Sequence, residues 1–397
     1  MTKKVLIRNA SQIVTPQGHS ACFGKAMGDV KVYENTSIFI EDGIIKGIGD
    51  PAQWEKEVPR ENQIDAAHKA VLPGFVDSHT HLVDIMNRGG GIINTMKATR
   101  EASEAELADH AMDHLKKMLA MGVTTVEAKS GYGQDYDTEI KQLHVTRKLN
   151  ASQPIELVST FLGAHAVPPE YKGRSKAFLD FLLKEVMPVV KKENLAEFCD
   201  IFCEEGVFSV DESRQYLKKA REMGFKLKIH ADEIVSLGGS ELAGELKATS
   251  ADHLLHASDA GIKAMAENGV VSTLLPTTAF CLREPFARAR EMIDAGCAVA
   301  LATDFNPGSG FTFSVPLMLG LAVIYMHMTA EEAITALTLN GAAAVGRADR
   351  IGSIEVGKQA DLTILQYPSY KFLPYHTGVN IVEKVIKKGE LVHTASV

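Results

Sequence analysis

The sequence predicts an α/β fold, a (β/α)8 TIM barrel with a small β-sandwich domain formed from both chain termini. Three observations support this prediction. Apolar segments alternate with amphipathic helical segments through the middle of the chain, both ends alternate apolar and polar residues between turns, and ionisable residues follow most central apolar segments. We therefore expect a composite β domain at 1–66 and 347–397, and a barrel domain at 67–346.

Composition favours a soluble enzyme. A hydrophobic content of 45% with 23% charged residues is ordinary for a globular protein, and 397 residues can bury a large core. The formal net charge of −8 argues against nucleic-acid and membrane partners. No apolar run approaches the roughly 18 residues of a membrane span, and the start lacks a signal-peptide core. The five cysteines are scattered and form no C-x-x-C motif, which favours reduced thiols in a cytoplasmic protein.

The elements follow from the periodicity of apolar residues. KVLIRNASQIVT and SIFIEDGIIKGIG near the start, and GSIEVGKQADLTILQ and NIVEKVIKKGELV near the end, alternate as strands do. Stretches such as EAELADHAMDHLKKMLAMG and VDESRQYLKKAREMGF have helical patterns. The barrel strands are predicted at 74–78, 123–128, 155–162, 199–203, 226–230, 251–255, 270–274 and 298–303. A doubly wound open sheet is the alternative, but no G-x-G-x-x-G motif follows any strand.

The first barrel strand ends in the motif LPGFVDSHTHL. Alternate residues of a strand point to one face, so His79 and His81 can bind a single metal ion. Two polar histidines near a turn are the alternative for an isolated H-x-H. A barrel gathers its active site at the carboxyl ends of its strands. The residues at the other strand ends therefore decide whether the two histidines bind a metal or are only polar residues near a turn.

Ionisable residues recur at those strand ends, which favours a functional site. His230 follows the fifth strand and Asp304 the eighth. Together with His79 and His81 they make three imidazoles and one carboxylate, a set suited to zinc or iron with room for a metal-activated water. Such barrels can hold two metals bridged by a carboxylated lysine after the fourth strand. No lysine stands there, so we expect one divalent or trivalent ion per subunit.

Three residues beside this metal site have plausible catalytic roles. Asp304 can accept the proton of the attacking water, and His253 can polarise a carbonyl group. Glu233, three residues after a metal ligand, can hydrogen-bond a substrate nitrogen. The alternatives are that His253 only orients a ligand and that Glu233 only starts a helix.

A second group of residues lies in the loops that follow the predicted strands, slightly farther from the strand ends. It comprises Tyr132, His165, Asn306, Gly308 and Ser309. The amides of the glycine-rich NPGSG segment can bind a carboxylate, although a simple turn would use the same residues.

Taken together, the motifs resemble those of the amidohydrolase superfamily, and within it the enzymes that open an imidazolone ring in histidine degradation. They are VLPGFVDSHTHL, GGGI at 89–92, KSGYG at 129–133, FLGAHAVP at 161–168, KIHADE at 228–233, SADHLLH at 250–256 and TDFNPGS at 303–309. The resemblance implies hydrolysis of 4-imidazolone-5-propanoate to N-formimino-L-glutamate by a homodimeric, cytoplasmic enzyme. It implies metal ligation by His79, His81, His230 and Asp304, and substrate contacts from Tyr132, His165, Glu233, Asn306, Gly308 and Ser309.

The chain departs from the family pattern after His81. In the family, a longer segment with a substrate-binding arginine precedes the three glycines, whereas here six residues separate Val83 from Gly90. A loop absent from this chain would account for the difference. Arg88 therefore stays outside the predicted site.

Two other functions remain open at this point. A deaminase acting on another aza-heterocycle would also use the His-x-x-Glu pattern of His230 and Glu233. A non-catalytic assembly protein derived from such a barrel would be expected to have lost a metal ligand, and all four predicted ligands are present.

Overall fold

The computed structural model describes residues 2–83 and 91–395. Arg88 and the first two glycines of the GGGI motif lie outside these residues. The N-terminal strands are β1 (Lys4–Thr15), β2 (Lys31–Glu41), β3 (Ile44–Gly49), β4 (Gln63–Asp65) and β5 (Ala70–Pro73). The barrel strands are β6 (Phe75–Asp77), β7 (Val123–Lys129), β8 (Glu156–Ala164), β9 (Phe198–Cys203), β10 (Lys226–Ala231), β11 (Ser250–His253), β12 (Val271–Leu274) and β13 (Ala298–Leu301). The C-terminal strands are β14 (Leu362–Leu365), β15 (Val382–Lys387) and β16 (Glu390–Thr394).

The central eight strands form the predicted barrel. They pair in chain order from β6 to β13, and every pair is parallel. All residues of β7 and β9 are buried, as expected for parallel strands that are covered on both faces. The predicted strand positions and the (β/α)8 architecture are confirmed.

The barrel closes between its first and last strands. Thr80 forms a parallel bridge with Phe305, and the amide of His81 donates to the carbonyl of Phe305 at 2.9 Å. At the end of β6, Asp77 accepts hydrogen bonds from the Thr303 amide at 3.0 Å and from its hydroxyl at 2.6 Å. This closure places the residues after β6 directly beside those after β13.

The helices of the described residues lie between the strands. They are α1 (Gly91–Glu101), α2 (Glu104–Ala120), α3 (Tyr136–Ser152), α4 (Ser175–Phe181), α5 (Met187–Lys192), α6 (Val210–Glu222), α7 (Gly239–Leu246), α8 (Asp259–Asn268), α9 (Pro276–Leu282), α10 (Ala289–Asp294), α11 (Val315–Ile324), α12 (Ala330–Thr335), α13 (Gly341–Ala344) and α14 (Phe372–Tyr375). Capping boxes begin α2 and α6, where Ser103 pairs with Glu106 and Ser209 with Glu212. Within the described part of the chain, no helix combines the length and apolar character that a membrane crossing demands.

Strands from both termini form a second sheet. The order is β16-β15-β14-β5-β1-β2-β3, with β4 paired to β1. Its core contains Ile7, Ile13, Ile38, Leu362 and Ile386, all without exposed surface. Because β14 pairs antiparallel with β5, the two ends of the chain depend on each other for this core. The predicted β domain built from both termini is confirmed.

The boundaries between the two domains remain a proposal. We propose a β domain at 1–66 and 347–397 and a barrel domain at 67–346, with β5 pairing in the terminal sheet although it follows residue 66.

Candidate active site

His79 and His81 lie at the closure of the barrel. Their side chains are 0% and 2% exposed, and their ring centroids are 5.5 Å apart. The segment continues β6 in extended form, because the amide of Asp304 donates to the carbonyl of His79 at 3.0 Å and Thr80 bridges to Phe305. Both imidazoles thus lie beside the end of β13, as the H-x-H spacing predicts.

Asp304 and His230 complete the group. Asp304 Oδ1 is 3.4 Å from His79 Nε2 and 3.6 Å from His81 Nε2. The ligand atoms of His79, His81 and Asp304 all lie within 4.8 Å of one another, as do those of His79, His230 and His253. The structure therefore brings together the four predicted metal ligands from β6, β10 and β13, with His253 adjacent.

The polar atoms at this point fit a cation. His79 Nε2, His230 Nε2 and Asp304 Oδ1 are buried and have no hydrogen-bond partner among the described residues. A buried polar atom without a partner costs free energy, so three such atoms in neighbouring side chains favour a cation at this point. Imidazole nitrogens and a carboxylate oxygen are ligands of zinc and iron, and one ion would satisfy all three atoms.

Two aspartates contact the imidazoles of His79 and His230 at Nδ1 and orient the rings. Asp252 Oδ2 is 2.7 Å from His79 Nδ1, and Asp200 Oδ2 is 3.0 Å from His230 Nδ1. A carboxylate at Nδ1 keeps the proton there and leaves the Nε2 lone pair free for a metal. The sequence prediction missed both aspartates. Their signal was a charged residue inside a short strand segment, FCDIFC for Asp200 and SADH for Asp252.

His253 and Glu233 lie together on one side of the proposed metal position. Glu233 Oε1 is 3.5 Å from His253 Nδ1. Burial, together with the nearby Asp304 carboxylate, raises the pKa of Glu233 to about 8. Burial also holds the pKa of His253 well below its ordinary value. In the metal-free protein both shifts favour the neutral form, which suits hydrogen bonding to a substrate rather than ion pairing.

Tyr132 and His165 lie beside His81. His165 stacks on His81 at 4.8 Å, and Tyr132 meets His165 edge-on at 5.1 Å. Burial and the neighbouring His230 lower the pKa of His165 to about 3, so its ring is neutral. Both residues lie where the sequence predicts substrate contacts.

A buried carboxylate shapes the loop that carries Tyr132. Glu139 Oε2 accepts from the Gly131 amide at 3.1 Å, and Oε1 accepts from the Gly133 amide at 3.0 Å and the Gln134 amide at 2.8 Å. Gly131 has φ +111°, and a Cβ there would lie 2.8 Å from the Leu162 carbonyl oxygen. A glycine is therefore required at this turn.

The NPGSG segment forms a turn closed by its own asparagine. Asn306 Oδ1 accepts from the amides of Gly308 at 2.8 Å and Ser309 at 2.7 Å, while Nδ2 donates to the Asp304 carbonyl at 2.8 Å. The two amides already have an acceptor, so a carboxylate that used them would displace the Asn306 side chain. The segment still lies at the site, as predicted.

A cavity of about 240 Å³ connects these groups. Its lining contains the predicted residues His81, Tyr132, His165, His230, Glu233, His253, Asp304, Asn306, Gly308 and Ser309. His79 is fully buried at its base. The sequence prediction missed the apolar lining of Ile92, Phe202 and Ile234, because apolar residues after a strand carry no distinctive signal.

A larger surface groove of about 630 Å³ lies elsewhere, but its principal charges are already paired. Arg347 contacts Glu156 at 3.0 Å and also pairs with Glu197. Among the described residues that line this groove, none has a buried polar atom without a hydrogen-bond partner, unlike the residues beside His79. The smaller cavity is therefore the candidate active site.

Comparison with known proteins agrees with this geometry. The sequence model of the amidohydrolase family matches residues 70–392. The imidazolonepropionase of Clostridium tetani is 60% identical over 413 residues, covering 99% of each chain, and that of Parabacteroides distasonis is 56% identical over 409 residues, covering 98% of each. Among solved structures, E. coli guanine deaminase has a TM-score of 0.75 at 16% identity, covering 99% of this chain and 100% of that one. At that identity the likeness concerns the fold.

The alignments with these relatives are longer than this chain. They extend over 413 and 409 positions, although this chain has 397 residues. The relatives therefore carry residues with no counterpart here, and the longer segment expected after His81 stays a prediction. From the family match and the near-complete coverage of these relatives, the chain belongs to the amidohydrolase family and groups within it with the imidazolonepropionases.

Proposed function

We propose that the chain hydrolyses 4-imidazolone-5-propanoate to N-formimino-L-glutamate. The observation that carries the proposal is the convergence of His79, His81, His230 and Asp304 at the base of a cavity that also presents Glu233 and His253. The identity of 60% and 56% to two imidazolonepropionases over nearly the whole chain supports the choice of substrate. The reaction consumes one water and breaks one ring C–N bond.

The charge of the buried side chains favours a divalent cation. The ammonium groups are those of Lys129 and Lys228, and the carboxylates in contact with them or with the imidazoles are Glu127, Asp200, Asp252 and Asp304. With all of these groups ionised, two negative charges remain uncompensated. A divalent ion would neutralise them, and buried charge is costly without such compensation. We propose zinc or iron(II), held by three imidazoles and one carboxylate.

A cation bound there would activate water for attack on the carbonyl carbon and polarise the carbonyl oxygen. Asp304 is placed to accept the proton of the attacking water, because its carboxylate lies beside His79 and His81 and the hydroxyl of Thr278 holds Oδ2 at 2.7 Å. The same carboxyl group can then protonate the departing ring nitrogen, which completes the cleavage of the C–N bond.

The neutral residues of the cavity have positioning and stabilising roles. Burial raises the pKa of Glu233 and thereby favours its protonated form, which can donate a hydrogen bond to a ring nitrogen. His253 can stabilise charge that develops on the carbonyl oxygen. Tyr132 and the turn of Asn306 and Ser309 lie in the same cavity and are proposed to hold the propionate. His165 forms the wall against which the ring would pack.

The activity test uses metal-loaded protein and freshly prepared imidazolone propionate. We expect loss of the ultraviolet absorbance of the substrate, with formation of N-formimino-L-glutamate and no release of ammonia. Release of ammonia from a purine, pyrimidine or triazine, with no ring opening of imidazolone propionate, would replace this proposal by a deaminase. No turnover of any heterocycle by metal-replete protein would support the non-catalytic alternative.

We also propose that the enzyme acts as a homodimer in the cytoplasm. The five cysteines are all unpaired, which suits a reducing compartment. Light scattering of the purified protein would measure the dimer, and a monomeric mass at micromolar concentration would contradict it.

A further inference from the structure

Five ionisable side chains lie directly beneath the proposed metal ligands, inside the barrel. They are Glu127 and Lys129 of β7, Asp200 of β9, Lys228 of β10 and Asp252 of β11. None is more than 1% exposed. We refer to them as the buried ionic layer. Side chains of this kind are almost never fully buried unless they are paired, so the layer requires a role that offsets its cost.

Lys129 lies at the centre of this layer. Its Nζ is 2.7 Å from Asp200 Oδ2, 3.3 Å from Asp252 Oδ2 and 3.2 Å from Glu127 Oε2. One ammonium group therefore joins carboxylates from β9 and β11 to β7. In a packed barrel interior, this arrangement fixes side chains from strands that are not neighbours.

The same two aspartates contact the metal ligands. Asp252 Oδ2, which faces Lys129, also lies 2.7 Å from His79 Nδ1, and Asp200 Oδ2 lies 3.0 Å from His230 Nδ1. An unbroken chain of polar contacts thus runs from His79 through Asp252, Lys129 and Asp200 to His230. Each end of the chain presents an unsatisfied Nε2 at the proposed metal position.

Lys228 supports the layer from the neighbouring strand. Its Nζ is 2.6 Å from Glu127 Oε2 and 3.1 Å from the Ser78 carbonyl, immediately before His79. The hydroxyl of Thr160 donates to the other oxygen of Glu127. Glu127 is therefore held most closely by Lys228 and Thr160, with Lys129 at 3.2 Å. Lys228 also lies 3.7 Å from Asp252 Oδ2, but Lys129 is the ammonium group that contacts both Asp200 and Asp252.

We infer that Lys129 is a positioning residue for the metal site, acting through Asp200 and Asp252 on the ring orientation and tautomer of His230 and His79. Two carboxylates this close repel each other unless a cation lies between them. With the ammonium in place, Asp252 accepts a hydrogen bond from His79 Nδ1, and Asp200 Oδ2 lies 3.0 Å from His230 Nδ1. Nothing in this inference depends on the substrate; it rests only on the proposed metal ligands.

The test measures metal binding. We expect Lys129→Met to weaken Co²⁺ binding by about 10- to 100-fold, the usual effect of losing a partner of a metal ligand, and to change the visible absorption of bound Co²⁺ because the ligand geometry changes. Affinity is measured by competition with a chelator. Wild-type affinity and an unchanged Co²⁺ spectrum in Lys129→Met would overturn the inference.

The matched control is Lys358→Met. Lys358 has no exposed side-chain surface and donates to the carbonyls of Gly18 and Ala348, away from the metal ligands. Its replacement also removes a buried ammonium group, so it reports the effect of lost stability alone. We expect unchanged Co²⁺ affinity and spectrum for Lys358→Met. An equal weakening in both variants would contradict a specific role of Lys129.

A second variant tests the role of Lys129 if Lys129→Met does not fold. Lys129→Met combined with Glu127→Gln removes one positive and one negative charge and leaves both aspartates in place. We expect the same loss of Co²⁺ affinity, and wild-type affinity would overturn the inference. Failure of the proposed function is distinguishable, since it would appear as wild-type protein that binds the metal but does not open imidazolone propionate.

Discussion

His79 and Asp304 are joined by two contacts, one of the backbone and one of the side chains. The amide of Asp304 donates to the carbonyl of His79 at 3.0 Å, and Asp304 Oδ1 lies 3.4 Å from His79 Nε2. The backbone contact closes the barrel, and the side-chain contact lies at the proposed metal position. Closure of the fold and assembly of the site therefore depend on the same few residues.

His230 tests the metal ligand set. We predict that His230→Ala loses bound metal and activity together, because a four-ligand site loses one imidazole and Asp200 loses its partner. Metal content is measured by elemental analysis beside the rate of ring opening. His256→Ala is the control, since His256 lies three residues after β11 and outside the cavity. Retained metal with a full rate in His230→Ala would contradict the ligand set.

Glu233 gives a prediction for stability in the metal-free protein. Its pKa rises from an ordinary 4.5 to about 8 on folding, so the folded state favours the protonated carboxyl group. Stability from this group is complete below pH 4.5 and is lost as the pH rises through about 8. Glu233→Gln cannot ionise. We expect the wild type, measured by urea unfolding with a chelator, to lose on the order of a few kcal/mol relative to Glu233→Gln between pH 5 and pH 9. Parallel pH curves for the two proteins would contradict the assignment.

Thr278 is predicted to position Asp304. Its hydroxyl donates to Asp304 Oδ2 at 2.7 Å, which leaves Oδ1 directed at His79 and His81. We expect Thr278→Val to lower kcat by about tenfold or more, since partners of this kind typically contribute that amount. Thr278→Ser keeps the hydroxyl and should restore most of the rate. If Thr278→Ser were as slow as Thr278→Val, packing of the methyl group rather than the hydrogen bond would be responsible.

Glu139 is predicted to affect substrate binding through the loop of Tyr132. Glu139→Gln keeps one carbonyl oxygen for the amides of Gly133 and Gln134 but places an amide donor against the Gly131 amide. The loop should then shift Tyr132 within the cavity, so we expect KM to rise severalfold with a smaller change in kcat. Steady-state kinetics measure both values. Glu106→Gln, which alters the exposed cap of α2, is the control. An equal effect on KM in the two variants would refute the prediction.

Much of the fold was predictable because parallel strands covered on both faces are continuous apolar runs with sharp ends. The predicted strand at 199–203 is observed as Phe198–Cys203, and that at 226–230 as Lys226–Ala231. The helical stretch VDESRQYLKKAREMGF is observed as α6 with a capping box. The terminal strands were also recognisable from alternation, but their order was not, since β14 pairs with β5 across most of the chain.

The residues proposed to carry the chemistry were recognisable from their place at or just beyond the end of a strand. His79, His81, His230, His253 and Asp304 are polar residues at the ends of apolar segments, and a barrel brings all such ends to one face. Their partners were not recognisable in this way. Asp200 and Lys129 stand inside strands, where the sequence shows a charge but not what compensates it.

By itself, the sequence determined the (β/α)8 architecture and which residue types arrive at the carboxyl ends of its strands, because both depend on local periodicity. Only the tertiary structure decided which carboxylate faces which imidazole, that Asn306 occupies the amides of its own turn, and that Lys129 joins Asp200 to Asp252. These contacts join strands far apart in the chain. Their geometry depends on the closure and packing of the whole barrel, which no local pattern encodes.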